Sequence, residues 1–176
     1  MNNALLEKSV RNIPDFPKPG ILFRDVTTLA QNKDAFKMSV DMLSREFQNK
    51  GFDKVVGVEA RGFIFAAAVA HNIGAGFVPV RKKGKLPYKT ISTTYELEYG
   101  TDTLEIHKDA ISSGEKILVI DDLLATGGTV KAVIDLVEQL GGKIAGIGFV
   151  IELVDLKGKD KLKDYPIFSL LKFEGE

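Results

Sequence analysis

A run of apolar residues that ends in two adjacent acids and a glycine-rich turn limits most strongly how this 176-residue chain can fold. Residues 116–120, KILVI, lack the polar alternation of a half-exposed strand, which is typical of a strand covered on both faces in a parallel sheet. Asp121 and Asp122 follow, then the turn 123–128, LLATGG, and a helix predicted over about 128–140. Strand, short turn and helix in this order predict one unit of an α/β sheet.

The same alternation of helices and apolar strands extends along most of the chain. Apolar residues at i, i+4, i+7 and i+11 predict a helix over about 33–49. The other predicted elements are helices at about 4–12 and 62–72, strands at 55–58, 77–81, 144–153 and 167–171, and two β-segments within 91–107. Because short connections from strand through helix to strand favour parallel pairing, we predict an open, mostly parallel α/β sheet with helices on both faces.

Composition argues against several classes of protein. With 44% hydrophobic and 27% charged residues, the chain resembles ordinary folded proteins rather than disordered ones. Its 24 basic residues balance 24 acidic ones, whereas dedicated nucleic-acid-binding proteins usually have a basic excess. There is no cysteine, and the only histidines are His71 and His107. These counts disfavour thiolate and multi-histidine metal sites, and we interpret both histidines as structural or surface residues.

No segment of the sequence predicts export or insertion into a membrane. The first residues, MNNALLEKSV, lack a basic region followed by a long apolar one. The longest apolar stretch, 62–70, is far shorter than the roughly 20 residues that a spanning helix needs. We therefore expect a cytoplasmic chain without membrane or nucleic-acid partners, folded as a single domain over residues 1–176.

Three polar segments, 59–62, 81–89 and 121–129, follow predicted strands. Because ligands of open α/β sheets bind beyond the C-terminal ends of the strands, we expect these segments to share one site. In the last segment, glycines allow backbone N–H groups to approach an anion at the start of a helix. The turn suits a phosphate monoester, and the two acids suit hydroxyl groups about one sugar away. It is not a Walker loop; the structural alternative is an ordinary capped helix start.

Residues 117–129, ILVIDDLLATGGT, resemble the motif with which type I phosphoribosyltransferases bind 5-phosphoribosyl-1-pyrophosphate (PRPP). Other segments resemble, in the same order, those of the adenine-specific members of that family: 16–25 (FPKPGILFRD), 58–63 (VEARGF), 81–87 (RKKGKLP), 95–100 (YELEYG) and 121–129 (DDLLATGGT). The likeness extends over about residues 13–173. It implies a purine-salvage enzyme that transfers the 5-phosphoribosyl group from PRPP to N9 of adenine, giving AMP and pyrophosphate.

The resemblance also implies which residues bind PRPP. Loop 125–129 would hold the 5-phosphate, and the two acids would face the 2- and 3-hydroxyls of the ribose. Segment 59–62 would form the pyrophosphate loop, with a strained or cis peptide between Glu59 and Ala60. The implied PRPP-binding residues are Asp121, Asp122, Ala125, Thr126, Gly127, Gly128, Thr129, Glu59, Ala60, Arg81, Lys82 and Lys85. Arg61 would act on the pyrophosphate; its alternative is an exposed arginine at a helix start.

The resemblance assigns the base to a small N-terminal hood, about 1–30. Leu22, Phe23 and Arg24 would bind adenine there, Phe23 by stacking and the other two through backbone groups that read the edge of the base. A backbone carbonyl accepts a hydrogen bond from the exocyclic amino group of adenine and disfavours 6-oxo purines. Core packing is the alternative for Phe23, and an exposed ion pair with Asp25 is the alternative for Arg24.

The resemblance further implies a flexible β-hairpin lid over about 81–107. Glu98 and Tyr99 match the Glu-Tyr pair of the family, and Glu98 is the candidate for handling the proton of the purine imidazole ring. Together with Arg61, these are the implied catalytic residues. The alternatives are a solvated basic loop for the lid cations and an exposed strand carboxylate for Glu98. Segment 154–166 has no predicted function beyond a solvated turn and helix.

The family resemblance implies Mg²⁺ as the cofactor, held mainly by PRPP oxygens and water, with no protein ligand assigned. It also implies a homodimer. Two other functions are compatible with the PRPP motif: a phosphoribosyltransferase for another purine, such as xanthine, and a PRPP-sensing regulatory module that binds nucleic acid without catalysis. The first differs in the base pocket. The second usually has an extra DNA-binding domain or a basic face.

Overall fold

The computed structural model describes residues 3–96 and 100–174. The strands are β1 (Arg11–Pro14), β2 (Leu22–Asp25), β3 (Lys54–Val58), β4 (Gly76–Lys82), β5 (Thr90–Glu96), β6 (Thr101–His107), β7 (Lys116–Leu124), β8 (Lys143–Leu153) and β9 (Ile167–Phe173). The helices are α1 (Ala4–Ser9), α2 (Thr27–Gln31), α3 (Lys33–Phe47), α4 (Gly62–Ile73) and α5 (Gly128–Gln139), with 3₁₀ helices at Val154–Leu156 and Gly158–Leu162.

The large sheet has the strand order β5-β6-β4-β3-β7-β8-β9. The five strands from β4 to β9 in this order pair in parallel, while β6 pairs antiparallel with both β4 and β5. The prediction of an open, mostly parallel sheet is confirmed. Strands β5 and β6 extend the sheet beyond β4, because β6 pairs with Arg81 and Lys82 at the C-terminal end of β4.

Alternate residues of the central strands pack on opposite faces of the sheet. In β7, Leu118 and Ile120 join the core beneath α3 and α4, whereas Ile117 and Val119 join the core beneath α5. All four side chains are fully buried. Burial on both faces explains the absence of polar alternation in the sequence of this strand, and it confirms the prediction of helices on both sides.

The structure corrects the predicted end of the strand that leads to the acids. β7 continues through Leu124 rather than stopping at Ile120, because β8 runs alongside it and pairs with it as far as Leu124 opposite Glu152. Asp121 and Asp122 therefore lie within the strand, and their backbones are fixed by the sheet. This places the acids on a rigid element rather than on the loop that follows.

The N-terminal segment also differs from the prediction. The helix expected over 4–12 ends at Ser9, and a short antiparallel hairpin of β1 and β2 follows, pairing Pro14 with Leu22. Prolines made this segment look irregular, but Pro14 lies at the end of its strand, where its missing N–H costs no ladder hydrogen bond. None of the helices formed by the described residues is long and apolar enough to cross a membrane.

Candidate active site

A cavity of about 470 Å³ opens where β3 and β7 end. Its walls come from three parts of the chain: residues 58–61, residues 121–130, and the side chains Lys82, Tyr95 and Asp102 of the neighbouring strands. The first two parts meet because β3 and β7 are adjacent and parallel. The structure thus brings two of the three predicted polar segments, together with Lys82 of the third, to one cavity at the C-terminal edge of the sheet, as expected for this class of sheet.

Loop 125–129 forms one wall of the cavity and leads into α5. Gly127 has a left-handed backbone with φ of +78°, and a Cβ at this position would lie 2.6 Å from the carbonyl oxygen of Gly158. Glycine is therefore required both by conformation and by space. The first N–H groups of α5 have no carbonyl partner within their own helix. This arrangement is typical of an anion-binding helix start.

The two acids of β7 are buried but have different partners. The backbone N–H of Asp122 donates to Oδ1 of Asp121 at 2.9 Å, while Oδ2 of Asp122 accepts from Nε of Arg61 at 2.5 Å. Burial, together with the adjacent Asp122 carboxylate, raises the pKa of Asp121 well above the ordinary carboxyl range. A Cβ on Gly62 would lie 2.6 Å from Oδ1 of Asp121, so α4 approaches the acids closely only because it begins with glycine.

The turn after β3 contains the cis peptide that the family resemblance implied, between Glu59 and Ala60. The Glu59 carboxylate accepts from Nε and Nη2 of Arg81 at 3.1 and 3.0 Å, and from the backbone N–H of Lys82 at 2.9 Å. Hydrogen bonding from Arg81 is the main cause that lowers the pKa of Glu59. Glu59, Ala60 and Arg61 line the cavity, but Arg81 does not.

The β4–β6 side of the cavity carries a second group of polar side chains. Nζ of Lys82 lies 3.1 Å from Oδ2 of Asp102, and hydrogen bonding to this carboxylate raises the pKa of Lys82. Tyr95 lines the cavity beside the loop wall, and burial raises its pKa. Lys85 is exposed and contributes its backbone carbonyl, which accepts from Nη1 of Arg81 at 3.2 Å.

Three predicted cations therefore lie near the cavity, each paired with a carboxylate. The pairs are Arg61 with Asp122, Arg81 with Glu59, and Lys82 with Asp102. In each pair the carboxylate comes from a different strand or turn than the cation. Among residues 3–96 and 100–174, no group of three or more His, Cys, Asp or Glu side chains is arranged to hold a metal ion.

The predicted base-binding residues lie beside the cavity rather than in its walls. Phe23 packs edge-on against Phe16 at 5.1 Å between ring centroids, and the guanidinium carbon of Arg61 lies 5.3 Å from the Phe23 centroid. Phe23 and Leu22 are half-buried on β2. The Phe23 ring is thus joined to the cavity through Arg61, so a planar ligand next to Phe23 would lie close to the residues around the acids.

Arg24 and Asp25 are not an exposed surface pair, which was the alternative for these residues. Both are 8% exposed. Nη1 of Arg24 donates to Oδ1 of Asn12 at 2.6 Å, and its guanidinium lies 4.5 Å from the centroid of the Phe173 ring. Asp25 accepts from both the backbone and the hydroxyl of Thr27, and the hydroxyl bond is the main cause that lowers its pKa.

Sequence reasoning missed Tyr95 and Asp102, which line the cavity. The exposure of β5 alternates, and Ile91 and Tyr95 share the face that packs on the core beneath α5. That alternation is visible in the sequence and was a usable signal for Tyr95. Asp102 gave no such signal, because its proximity to Lys82 depends on how β6 pairs with β4. Glu98 and Tyr99, two of the predicted catalytic residues, lie outside the described residues.

A family model and the similar sequences of known proteins indicate the same family for this chain. Residues 25–175 match the model of the phosphoribosyl transferase domain. The chain is 58% identical over 168 residues to adenine phosphoribosyltransferase of Clostridium acetobutylicum and 56% identical over 169 residues to that of Clostridium kluyveri. Each alignment covers 96% of this chain and 98% of the relative.

Solved structures agree with the sequence comparisons. Adenine phosphoribosyltransferase from Thermoanaerobacter pseudethanolicus superposes with a TM-score of 0.93 at 51% identity, covering 97% of this chain and 99% of that one. The Saccharomyces cerevisiae enzyme, complexed with an imino-altritol bisphosphate and adenine, gives 0.89 at 42% identity, covering 96% and 97%. The fold, the site and these likenesses agree, and the chain belongs to the adenine phosphoribosyltransferases of the type I phosphoribosyltransferase family.

Proposed function

We propose that the cavity is where this chain performs its adenine phosphoribosyltransferase reaction, the transfer of the 5-phosphoribosyl group from PRPP to N9 of adenine with release of pyrophosphate. The observation that carries the assignment is the meeting of loop 125–129, the acids of β7 and Arg61 around one cavity at the ends of parallel strands. A phosphate at a helix start, with two acids about one sugar away, matches the shape of a phosphoribosyl group.

The ligands of the yeast relative support this assignment of the cavity. That structure holds a sugar-like bisphosphate together with adenine. A bisphosphate has two anionic ends, and this cavity has one wall suited to an anion through backbone N–H groups and another that carries Arg61 and Lys82. We propose that the loop wall takes the 5-phosphate and that the cationic wall takes the pyrophosphate, with adenine against Phe23.

In the proposed mechanism, pyrophosphate leaves C1 of the ribose with inversion, through an oxocarbenium-like transition state, and N9 of adenine attacks. Negative charge develops on the leaving pyrophosphate, where Arg61 and Lys82 would stabilise it. Asp121 and Asp122 would hold the ribose hydroxyls and keep C1 oriented. We propose that Glu98 takes the imidazole proton of adenine and that Tyr99 supports it. Closure of the lid over 81–107 would exclude water, which otherwise hydrolyses PRPP.

We propose Mg²⁺ as the cofactor, held mainly by PRPP oxygens and water. The donors that line the cavity are carboxylates and hydroxyls such as Asp122 and Thr129, which suit a hard cation. When bound, the ion would neutralise charge on the pyrophosphate and make it a better leaving group. The residues of this chain would then orient the sugar and the base around that complex.

We further propose that the chain is one domain, with a hood at 1–30 and a lid at 81–107, and that it forms a cytoplasmic homodimer. Two apolar side chains on α4 and β4, Ile64 and Phe77, are 40% and 38% exposed. Phe63 packs edge-on against Phe77 at 5.7 Å. A partner subunit that covered these residues would bury apolar surface that this chain leaves exposed. Measuring the molar mass in solution tests the dimer directly.

An assay with a panel of bases tests the reaction and its specificity. Purified protein, PRPP and Mg²⁺ would be incubated separately with adenine, hypoxanthine, guanine and xanthine, and nucleotide formation followed. We expect AMP from adenine and little product from the others. Preference for another base would retain the PRPP site and contradict the assignment of residues 22–24. PRPP binding without any nucleotide product would favour the regulatory module instead.

Replacement of Glu98 tests the proposed proton transfer. Glu98→Ala should lower kcat by about 100-fold or more, the usual contribution of general acid–base catalysis, while PRPP still binds. The matched control is Glu96→Ala, an exposed carboxylate two residues earlier on β5. Near-normal turnover of Glu98→Ala would remove this residue from the mechanism.

A further inference from the structure

Segment 154–166, for which the sequence offered no function, packs directly against the proposed phosphate loop. Gly158 approaches so closely that a Cβ on it would lie 2.2 Å from the carbonyl oxygen of Ala125 and 3.0 Å from the backbone nitrogen of Gly127. In the reverse direction, a Cβ on Gly127 would lie 2.6 Å from the carbonyl oxygen of Gly158. Two stretches of backbone are therefore in contact with no room for a methyl group between them.

Space alone, rather than backbone conformation, requires glycine at position 158. Its φ lies outside the left-handed region, unlike the φ of +78° at Gly127. An alanine at 158 would be compatible with the local backbone, and the atoms nearest to its Cβ would belong to loop 125–129 and Leu124. Substitution at 158 therefore perturbs the loop from below without changing any residue of the cavity wall.

Independent contacts hold the 3₁₀ helix Gly158–Leu162 in place beneath the loop. Nζ of Lys159 lies 2.7 Å from Oε2 of Glu152, a carboxylate that is 5% exposed at the end of β8. Leu162 is fully buried in the core beneath α5. The Tyr165 hydroxyl donates to Oε1 of Glu138 on α5 at 2.8 Å. Because these anchors lie on β8, the core and α5, the helix has a fixed position of its own.

The loop also has close neighbours on β5. A Cβ on Gly128 would lie 3.3 Å from the carbonyl oxygen of Glu96 and 3.8 Å from the ring of Tyr95. Loop 125–129 thus approaches both β5 and Gly158 closely. These neighbours limit how the loop can relieve a clash, so we expect a side chain at 158 to shift the N–H groups at the start of α5.

We propose that Gly158 is a positioning residue for phosphate binding. The 3₁₀ helix Gly158–Leu162 determines how far the backbone of loop 125–129 extends into the cavity. This inference rests on the proposed function, in which the loop holds the 5-phosphate of PRPP. A side chain at 158 displaces the loop and misplaces the groups that bind the phosphate. Phe23, on the base side of the site, lies on the separate strand β2, so we expect that side to keep its geometry.

The test compares the kinetics of Gly158→Ala with those of a matched glycine variant. Misplacement of binding groups by about 1 Å reduces function by about 100-fold, so we expect KM for PRPP to rise by about 10- to 100-fold, with KM for adenine nearly unchanged. Gly76→Ala is the control, since its φ is ordinary and its nearest neighbours lie at 3.4 and 3.7 Å. A merely structural role would lower the active fraction, and with it apparent kcat, and leave KM for PRPP unchanged.

A second variant keeps the proposal testable if Gly158→Ala does not fold. Lys159→Met removes the pair with Glu152 while retaining a long side chain, and the Lys159 side chain is 37% exposed. We expect a few-fold rise in KM for PRPP, reversed in Lys159→Arg. A normal KM for PRPP in folded Gly158→Ala or in Lys159→Met overturns the proposal. An equal rise in KM for PRPP and in KM for adenine also overturns it. Absence of AMP formation in the wild type would instead overturn the proposed function, and calorimetric PRPP binding with Mg²⁺ separates the two failures.

Discussion

The two anionic ends of the proposed substrate meet two differently built regions of the cavity. Loop 125–129 presents backbone at the start of α5, and its Gly127 lies against backbone, with Gly158 beneath it. The cationic rim, which we define as Arg61, Arg81 and Lys82, presents long side chains. Each of these is paired with a carboxylate, at 2.5, 3.0 and 3.1 Å.

The difference teaches how the site divides its tasks. Backbone N–H groups fixed by packing are preorganised and need no rearrangement when a phosphate arrives. In the proposed site, the rim cations would have to share or exchange their carboxylate partners in order to bind pyrophosphate. Such pairs keep the rim close to neutral and reduce repulsion among its cations. We therefore expect changes in the loop to act sterically and strongly, and changes in the rim to be graded and sensitive to salt.

The largest expected effect comes from Gly127→Ala. The substitution forces a left-handed φ on alanine and places a methyl group 2.6 Å from the carbonyl oxygen of Gly158. We expect PRPP affinity to fall by about 100-fold or more, measured by calorimetry. Gly74→Ala is the matched control, because it has a φ of +73° with no atom within 4 Å of its Cβ. Equal effects of the two variants on PRPP affinity would show that backbone strain is responsible, and not the contact of the loop with Gly158.

The next largest effect is expected from Arg61→Met. Arg61 donates to Asp122 and lies over the Phe23 ring, so its loss removes the rim cation nearest both the acids and the hood. Hydrogen bonds that involve a charged group contribute about 1.5–3 kcal/mol, which corresponds to a fall in kcat/KM for PRPP of about 10- to 100-fold. Arg45→Met, an exposed arginine on α3, is the control. A normal kcat/KM in Arg61→Met would contradict the assignment of this arginine to pyrophosphate.

The same two regions show what the sequence can and cannot predict. The loop was predictable because all its chemistry lies in one continuous stretch, 121–129, next to a strand with no polar alternation. The contact of the loop with Gly158 was not predictable, because Gly158 is about thirty residues away and its sequence is typical of a charged turn. The cations of the rim were predictable as residue types. Their partners depend on pairing between strands, as in the contact of Glu59 with Arg81 after β3 and β4 align.

The hood was the least predictable element. Four-residue strands such as β1 and β2 are too short to show a period, and the prolines between them favoured an irregular turn. Arg24 illustrates the consequence: a charged residue in such a segment looks exposed, yet it is buried between Asn12 and the Phe173 ring of β9. Phe173 lies 149 positions later in the chain, which is beyond the reach of any local pattern.

Asp121→Asn probes the acid that lies between the loop and the rim. The side chain of Asp121 accepts a hydrogen bond from the backbone N–H of Asp122, whereas the rim carboxylates are paired with cations. The pKa of Asp121 is raised in the folded state, so folding takes up a proton. The free energy of unfolding therefore falls as the pH rises from the ordinary carboxyl range toward the raised pKa. Asparagine removes this penalty and still accepts from the N–H of Asp122.

We expect Asp121→Asn to unfold at a higher temperature than the wild type above neutral pH, by roughly 2–4 °C, the amount that about 1 kcal/mol produces in a domain of this size. The difference should vanish below the ordinary carboxyl pKa range, where the acid is protonated in both states. Thermal unfolding from pH 3 to 9 measures it. A variant that is less stable than the wild type at pH 8 would show that the carboxylate is charged and satisfied in the fold.

The smallest expected effect is a gain of affinity in Asp102→Asn. Lys82 pairs with Asp102, and in the proposed site pyrophosphate would compete with this carboxylate for the ammonium group. The Lys82 side chain is 58% exposed, and exposed ion pairs contribute about 0.2–1 kcal/mol. Releasing the lysine should therefore tighten PRPP binding by at most about fivefold, with the gain shrinking as salt screens the charges.

Asp41→Asn is the matched control for this gain, because Asp41 forms an exposed pair with Lys37 on α3, away from the cavity. PRPP dissociation constants at low and high ionic strength would be compared for both variants and the wild type. If only Asp102→Asn binds PRPP more tightly, and if this gain decreases with salt, the rim carboxylates compete with pyrophosphate for the rim cations. Weaker binding would mean that Asp102 orients Lys82 toward the pyrophosphate, and the rim would then be preorganised in the same sense as the loop.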